Sequence, residues 1–178
     1  MTKHKTSHYI RRAALCAALA TAVLLPAEAR AELRRGEKSF GPRVGYVGKN
    51  NSVSAGLVFQ YSLSRRVRLA PEASVIFRNK DMDALSVALN VHVPFGFEND
   101  KVALYPLAGV EYVSWTRHTY DSQADKDVTS HSNRFGADVG AGVELRCTSS
   151  LKLSLEGRYT FVKSYSTTQV SLGISYIF

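Results

Sequence analysis

Residues 53–64, VSAGLVFQYSLS, decide the fold. Val53, Ala55, Leu57, Phe59, Tyr61 and Leu63 take every second position, with Ser54, Gly56, Val58, Gln60, Ser62 and Ser64 between them. Successive side chains of a strand point to opposite faces, so this pattern gives one apolar and one polar face. A helix would need apolar residues three and four apart, and the stretch shows no such period.

The same rhythm recurs on both sides of this stretch. Leu85, Val87, Leu89, Val91, Val93 and Phe95 alternate with Ser86, Ala88, Asn90, His92 and Pro94. Phe135 to Leu145 alternates with a row holding Gly136, Asp138, Gly140, Gly142 and Glu144. Leu151, Leu153, Leu155, Gly157, Tyr159 and Phe161 face away from Lys152, Ser154, Glu156, Arg158 and Thr160. Less regular stretches at 39–48, 67–78, 102–115 and 167–178 bring the expected number of strands to eight. Each is roughly 10–14 residues long, about twice the globular average and enough for a tilted strand to cross a bilayer. The expected fold is all-β, an eight-stranded antiparallel up-and-down transmembrane β-barrel over residues 32–178. Connections near 65–66, 96–101 and 147–150 then share a rim with both termini. Those near 49–52, 79–83, 116–133 and 163–166 lie at the other rim, and the third reads as a long polar loop. Pro71 and Pro106 fall inside strands, where each removes a ladder donor, so bulges are expected there.

The first segment is an address. Lys3, Lys5, Arg11 and Arg12 precede an apolar stretch at 13–25, then Pro26 and small residues ending in Ala29 and Ala31. This is the three-part pattern of a secretory signal peptide, cleaved before Glu32, with Ala27 and Ala29 as a second possible cleavage site. Residues 1–31 are therefore expected to be removed. The whole chain carries 23 Lys+Arg against 15 Asp+Glu, a formal charge of +8. Without residues 1–31 the balance falls to 18 against 14, or about +4. No basic tract remains to hold nucleic acid, and no nucleic-acid partner is expected. No apolar run of about 18 residues follows the signal, which excludes a bundle of membrane helices. Cys16 leaves with the signal and Cys147 stays as a lone thiol, so no internal disulfide is expected.

A barrel with alternating faces is either a soluble carrier, apolar inside, or a membrane barrel, apolar outside. The polar face carries Arg43, Glu72, Glu111, Asp138, Glu156 and Arg158 among glycines near strand middles. Eight strands enclose just enough room for such side chains. Strand 102–115 is apolar on both faces, and Glu111 is placed inward because a carboxylate facing lipid is costly. Aromatics gather toward strand ends at Phe40, Phe77, Phe95, Tyr112, Phe161, Tyr176 and Phe178, as at a membrane interface. The chain ends on Val170, Leu172, Ile174, Tyr176 and Phe178. Here it resembles the small eight-stranded outer-membrane barrels, the group of the outer membrane protein A barrel, outer membrane protein X and the opacity proteins. The resemblance implies that Ile174, Tyr176 and Phe178 form the signal read by the barrel-assembly machinery. It further implies periplasmic chaperones during biogenesis, outer-membrane lipid and lipopolysaccharide as surroundings, and a structural or adhesive role.

The six inward charges are expected to form a salt-bridge network that plugs the lumen, since buried charges persist when paired. A lipid-modifying enzyme is the competing reading. Ser130-His131-Ser132-Asn133 puts a His beside a Ser, the pairing that activates a hydroxyl. A lipid A deacylase, however, sets its Ser two positions after the His on one strand face, and here Ser132 follows directly. The expectation is therefore no enzyme, no cofactor and no metal. Asp121, Asp125 and Asp127 lack the glycine and closing Glu of a calcium loop. With Trp115 and Tyr120 at the loop base, they are assigned instead to a loop surface, 116–134, for an extracellular partner.

Overall fold

The computed structural model describes residues 34–79, 82–96, 101–121, 126–162 and 166–178. The signal segment 1–31 lies outside the described residues. Eight long strands run β1 (Lys38–Val47), β2 (Ser52–Ser62), β3 (Arg68–Asn79), β4 (Met82–His92), β6 (Val102–Asp121), β7 (Lys126–Arg146), β8 (Leu151–Val162) and β9 (Thr167–Ile177). A two-residue β5 (Phe95–Gly96) continues β4 in unchanged register after a break at Val93–Pro94. No helix occurs among the described residues.

Each long strand pairs antiparallel with its neighbours in sequence, β4 pairs with β6, and β1 pairs with β9. The sheet thereby closes on itself and leaves no edge within the ring. Strands of 10 to 12 residues rising ~3.3 Å each and tilted as barrels require cover about 25–30 Å, the height of a hydrocarbon core. Tight turns are set by residues in the left-handed region, Asn51 (φ 51°) between β1 and β2 and Gly36 (φ 81°) ahead of β1.

The apolar face is outside. Val44, Val53, Leu57, Leu85, Leu89, Leu155 and Leu172 are exposed, while Arg43, Glu72, Glu111, Asp138, Glu156 and Arg158 are buried. A soluble carrier would have shown the reverse. Exposed aromatics ring both rims, with Tyr46, Phe77 and Phe135 at one and Phe40, Tyr176 and Phe178 at the other. A cation placed on the outer surface tests this arrangement. Leu172 sits mid-strand at 60% exposure, and Leu172→Arg is expected to cost about 2–4 kcal/mol in lipid vesicles. An exposed site on a water-soluble protein would change by only ~0.5 kcal/mol. Urea titration of the vesicle-inserted protein distinguishes the two.

Two expectations need correction. The β3–β4 and β6–β7 ladders pass through Pro71 and Pro106 without a register change; the shift in β3–β4 lies between Ile76 and Asn79. A proline removes one donor toward one neighbour, and the other ladder holds the strand in phase. Within the expected loop 116–134, residues 116–121 and 126–134 are strand. Thr116↔His131 through Asp121↔Lys126 continue the β6–β7 ladder, and from His118 onward β6 has left its pairing with β4. Polar, β-branched sequence pairs readily in a hairpin that stands in water, where no apolar face is required.

Candidate functional site

The lumen is layered, and strand phase decides which residues enter it. At mid-height, Arg43 on β1 donates from Nη1 to Glu72 Oε2 on β3 at 2.7 Å and to Glu156 Oε1 on β8 at 2.8 Å. Arg158 Nη2 meets Glu72 Oε1 at 3.1 Å and stands 3.9 Å from Glu111 Oε1 on β6. Its Nη2 also donates to Gln169 Oε1 at 2.9 Å, and Gln169 in turn donates to Ser54 Oγ. Glu111 accepts a hydrogen bond from the Ser86 hydroxyl. Of the six charges expected to line the lumen, Arg43, Glu72, Glu156, Arg158 and Glu111 are thus brought together. Asp138 is buried in the same interior but belongs to no ion pair among the described residues.

A second layer lies toward the rim that carries the termini. Arg68 Nη1 donates to Glu144 Oε2 at 2.8 Å, and Lys152 Nζ stands 3.6 Å from the same oxygen. The Arg68 guanidinium also lies 5.3 Å over the Tyr105 ring, which stacks on His92 at 4.6 Å. Tyr105 links the two layers by donating its hydroxyl to Glu156 Oε2 at 3.1 Å. At the rim, Arg146 Nη2 spans both Glu37 oxygens at 2.9 Å. Arg68, Tyr105, Glu144 and Lys152 were not among the expected site residues. Phase would have found three of them, because Arg68 shares a face with Glu72, Glu144 with Asp138, and Lys152 with Glu156.

At the opposite rim the lumen is apolar. Val47, Ile76, Ala84, Val113 and Trp115 form a buried cluster with Met82 against it. Above it, Asn50 and Asn79 staple two turns together. Asn50 Nδ2 donates to the Asn79 carbonyl, and Asn79 Nδ2 donates to the carbonyls of Asn50 and Asn51. Trp115, expected in a loop surface, is 6% exposed and points into the barrel. It shares the inward phase of Glu111 and Val113, so the same alternation that buries the carboxylate buries the indole.

The β6–β7 ribbon rises beyond the ring. Its last pairing with β4 is Met82↔Arg117 and its last with β8 is Gly136↔Val162. Residues 118–121 of β6 and 126–135 of β7 therefore carry strand edges without a ladder partner among the described residues. Tyr120 and Asp121 lie on β6 and Asp127 on β7, with Tyr120 opposite Asp127. Asp125 lies outside the described residues. His131 and Ser132 are adjacent on β7 and so point to opposite faces of the ribbon. The Thr116 hydroxyl stands 3.3 Å from His131 Nδ1, while Ser132 Oγ accepts from Arg134 Nε. They are not set up as a base and its nucleophile.

A closed ring, apolar outside, with charges paired inside and aromatics at both rims, is a transmembrane β-barrel. The chain belongs to the outer membrane protein beta-barrel domain family, whose model matches residues 32–178. In fold it is similar to the N-terminal beta-barrel domain of Pseudomonas aeruginosa OprF, at 14% identity and TM-score 0.67 over 81% of this chain and 98% of that one. It is also similar to Neisserial surface protein A, at 17% identity and TM-score 0.61 over 80% and 95% of the two chains. Ail, the attachment invasion locus protein of Yersinia pestis, is 16% identical with TM-score 0.59 over 82% and 100%. No curated protein matches the chain.

Proposed function

We propose that this outer-membrane barrel is closed to ions, carries no enzymatic activity, and works by stiffening the envelope and offering the β6–β7 ribbon to an extracellular partner. The observation behind this reading is the way the interior is filled. Ion pairs from β1, β3 and β8 cross the lumen at mid-height, and the Trp115 cluster caps it. A barrel of eight strands has little further room. The ribbon is left as the surface that stands clear of the membrane, and unpaired strand edges recognise extended segments of other proteins through main-chain hydrogen bonds.

In this reading residues 1–31 export the chain. Periplasmic chaperones hold it, and the assembly machinery engages Ile174, Tyr176 and Phe178, of which Tyr176 and Phe178 stack at 6.4 Å on the outer surface. The rim with the termini faces the periplasm and the ribbon faces outward, through lipopolysaccharide.

One pair of measurements tests the reading. The full chain in a planar lipid bilayer is expected to give no conductance steps. Cells displaying it are expected to adhere to immobilised extracellular-matrix protein, and cells displaying a chain shortened by deletion of 118–129 are not. Steady ion-conducting steps would remove the closed lumen. Equal adhesion by both chains would remove the role of the ribbon.

A further inference from the structure

Five acids, Glu72, Glu111, Asp138, Glu144 and Glu156, and four bases, Arg43, Arg68, Lys152 and Arg158, are buried in the barrel. His92 does not restore the balance. Arg68 Nη2 stands 3.3 Å from His92 Nδ1, and an arginine only donates, so that nitrogen keeps its lone pair and the ring is neutral. Among the described residues the buried interior therefore holds one acid more than its cations offset.

The surplus has a location. Asp138 is 3% exposed, and both its carboxylate oxygens are buried without a hydrogen-bond partner. Asn90, 1% exposed, has its amide oxygen in the same condition. The ladders place them on one level, Asn90↔Gly109 between β4 and β6, then Gly109↔Asp138 between β6 and β7, then Asp138↔Thr160 between β7 and β8. Gly109 stands between them without a side chain; a Cβ there would strike Asn90 Oδ1, so the amide oxygen lies over the glycine that separates the two residues. Glu111 faces Gly136 and is the diagonal neighbour of Asp138, so each acid stands opposite a glycine. Acceptor oxygens of Asp138, Asn90 and Glu111 are thus grouped on neighbouring levels, with hydroxyl donors beside them at Thr160, opposite Asp138, and at Ser86, on Glu111. Arg158 is turned to Glu72 and Gln169 and stands 3.9 Å from Glu111, and makes no ion pair with Asp138.

We propose that the lumen binds one small monovalent cation, sodium in its chemistry, between Asp138 and Asn90, with Glu111 and the Thr160 hydroxyl completing its oxygen shell. Carboxylate, amide and hydroxyl oxygens suit a hard cation. A single charge cancels the surplus, whereas a divalent ion would reverse it. The inference does not depend on whether the ribbon binds a partner or the lumen conducts.

The test is thermal unfolding of the full chain, folded in detergent separately in sodium chloride and in tetramethylammonium chloride at one ionic strength and pH. Folding in each salt removes any question of how the ion enters. The midpoint is expected to rise with sodium and saturate, and to stay flat with tetramethylammonium, which is too large for the space. Asp138→Asn is expected to abolish the sodium increment while unfolding no earlier than the parent chain in tetramethylammonium. Asn90→Ala, which keeps the charge, should move the half-saturating sodium concentration up several-fold. Equal midpoints in the two salts, or a full sodium response in Asp138→Asn, would overturn the site and leave the surplus to a proton or to water. Stabilisation by calcium and not by sodium would overturn the charge count.

Discussion

Arg158→Ala is expected to lower the unfolding free energy of the barrel by about 3–5 kcal/mol, the cost of removing one partner from a buried ion pair. Arg158 meets Glu72 at 3.1 Å, Glu111 at 3.9 Å and Gln169 at 2.9 Å. Its loss leaves the buried Glu111 without its arginine and Glu72 with Arg43 alone, at 2.7 Å. Most of the cost is the uncompensated charge, not the bond itself. Two further variants check that attribution. Glu111→Gln added to Arg158→Ala is expected to recover part of the loss, since it removes the charge that Arg158 alone had faced among the described residues. Arg158→Lys keeps the charge but not the planar fork that serves Glu72 and Gln169 together, so it should fall between parent and alanine. Urea unfolding in lipid vesicles, followed by the fluorescence of Trp115, measures all three. A loss near zero for Arg158→Ala would mean that the network contributes nothing to holding the ring.

Trp115→Ala should cost a similar ~3–5 kcal/mol for a different reason. The indole fills the cap between Val47, Ile76, Ala84 and Val113, and no neighbouring side chain is large enough to replace it. Trp115→Phe, which keeps most of the apolar volume, is expected to cost less than about 1.5 kcal/mol. Gel mobility of unheated and heated samples reports the folded fraction without needing the tryptophan as a probe. If alanine and phenylalanine behaved alike, the indole would have to be read as a surface group after all.

The fold was legible because the bilayer imposes a contrast that the sequence must copy. Wherever one face meets lipid and the other a charged interior, as at Val53–Ser62 or Leu151–Val162, alternation gives both the strand and its direction. The signal fails where that contrast ends. Where the β6–β7 ribbon leaves the ring, Thr116, His118, Thr129 and Ser130 show no apolar–polar alternation in the sequence and read as a loop, although they pair along the ladder. It blurs again in β6, where Val113 and Trp115 are apolar although they face inward. Phase says which charges share the lumen but not which meet. Arg43 and Glu156 are 113 residues apart and face each other only once the ring has closed. The orphaned position of Asp138 is of the same kind, since it follows from where Arg158 turns.

The closing pair of strands carries a consequence for how the molecule comes into being. β1 and β9 are the first and last strands, and their ladder runs from Ser39↔Ile177 to Val47↔Gln169. Lys38 and Phe178 exchange main-chain hydrogen bonds at 2.9 and 3.2 Å. At Gly41 the two backbones come so near that a Cβ would strike the Ile174 carbonyl oxygen. The ring cannot form piecemeal, because its final contact joins residues separated by nearly the whole barrel and must await the last strand made. Until then two raw sheet edges and an apolar exterior stand open to aggregation. Closure is therefore the step that hides both edges at once, and it happens only when the two ends of the barrel meet.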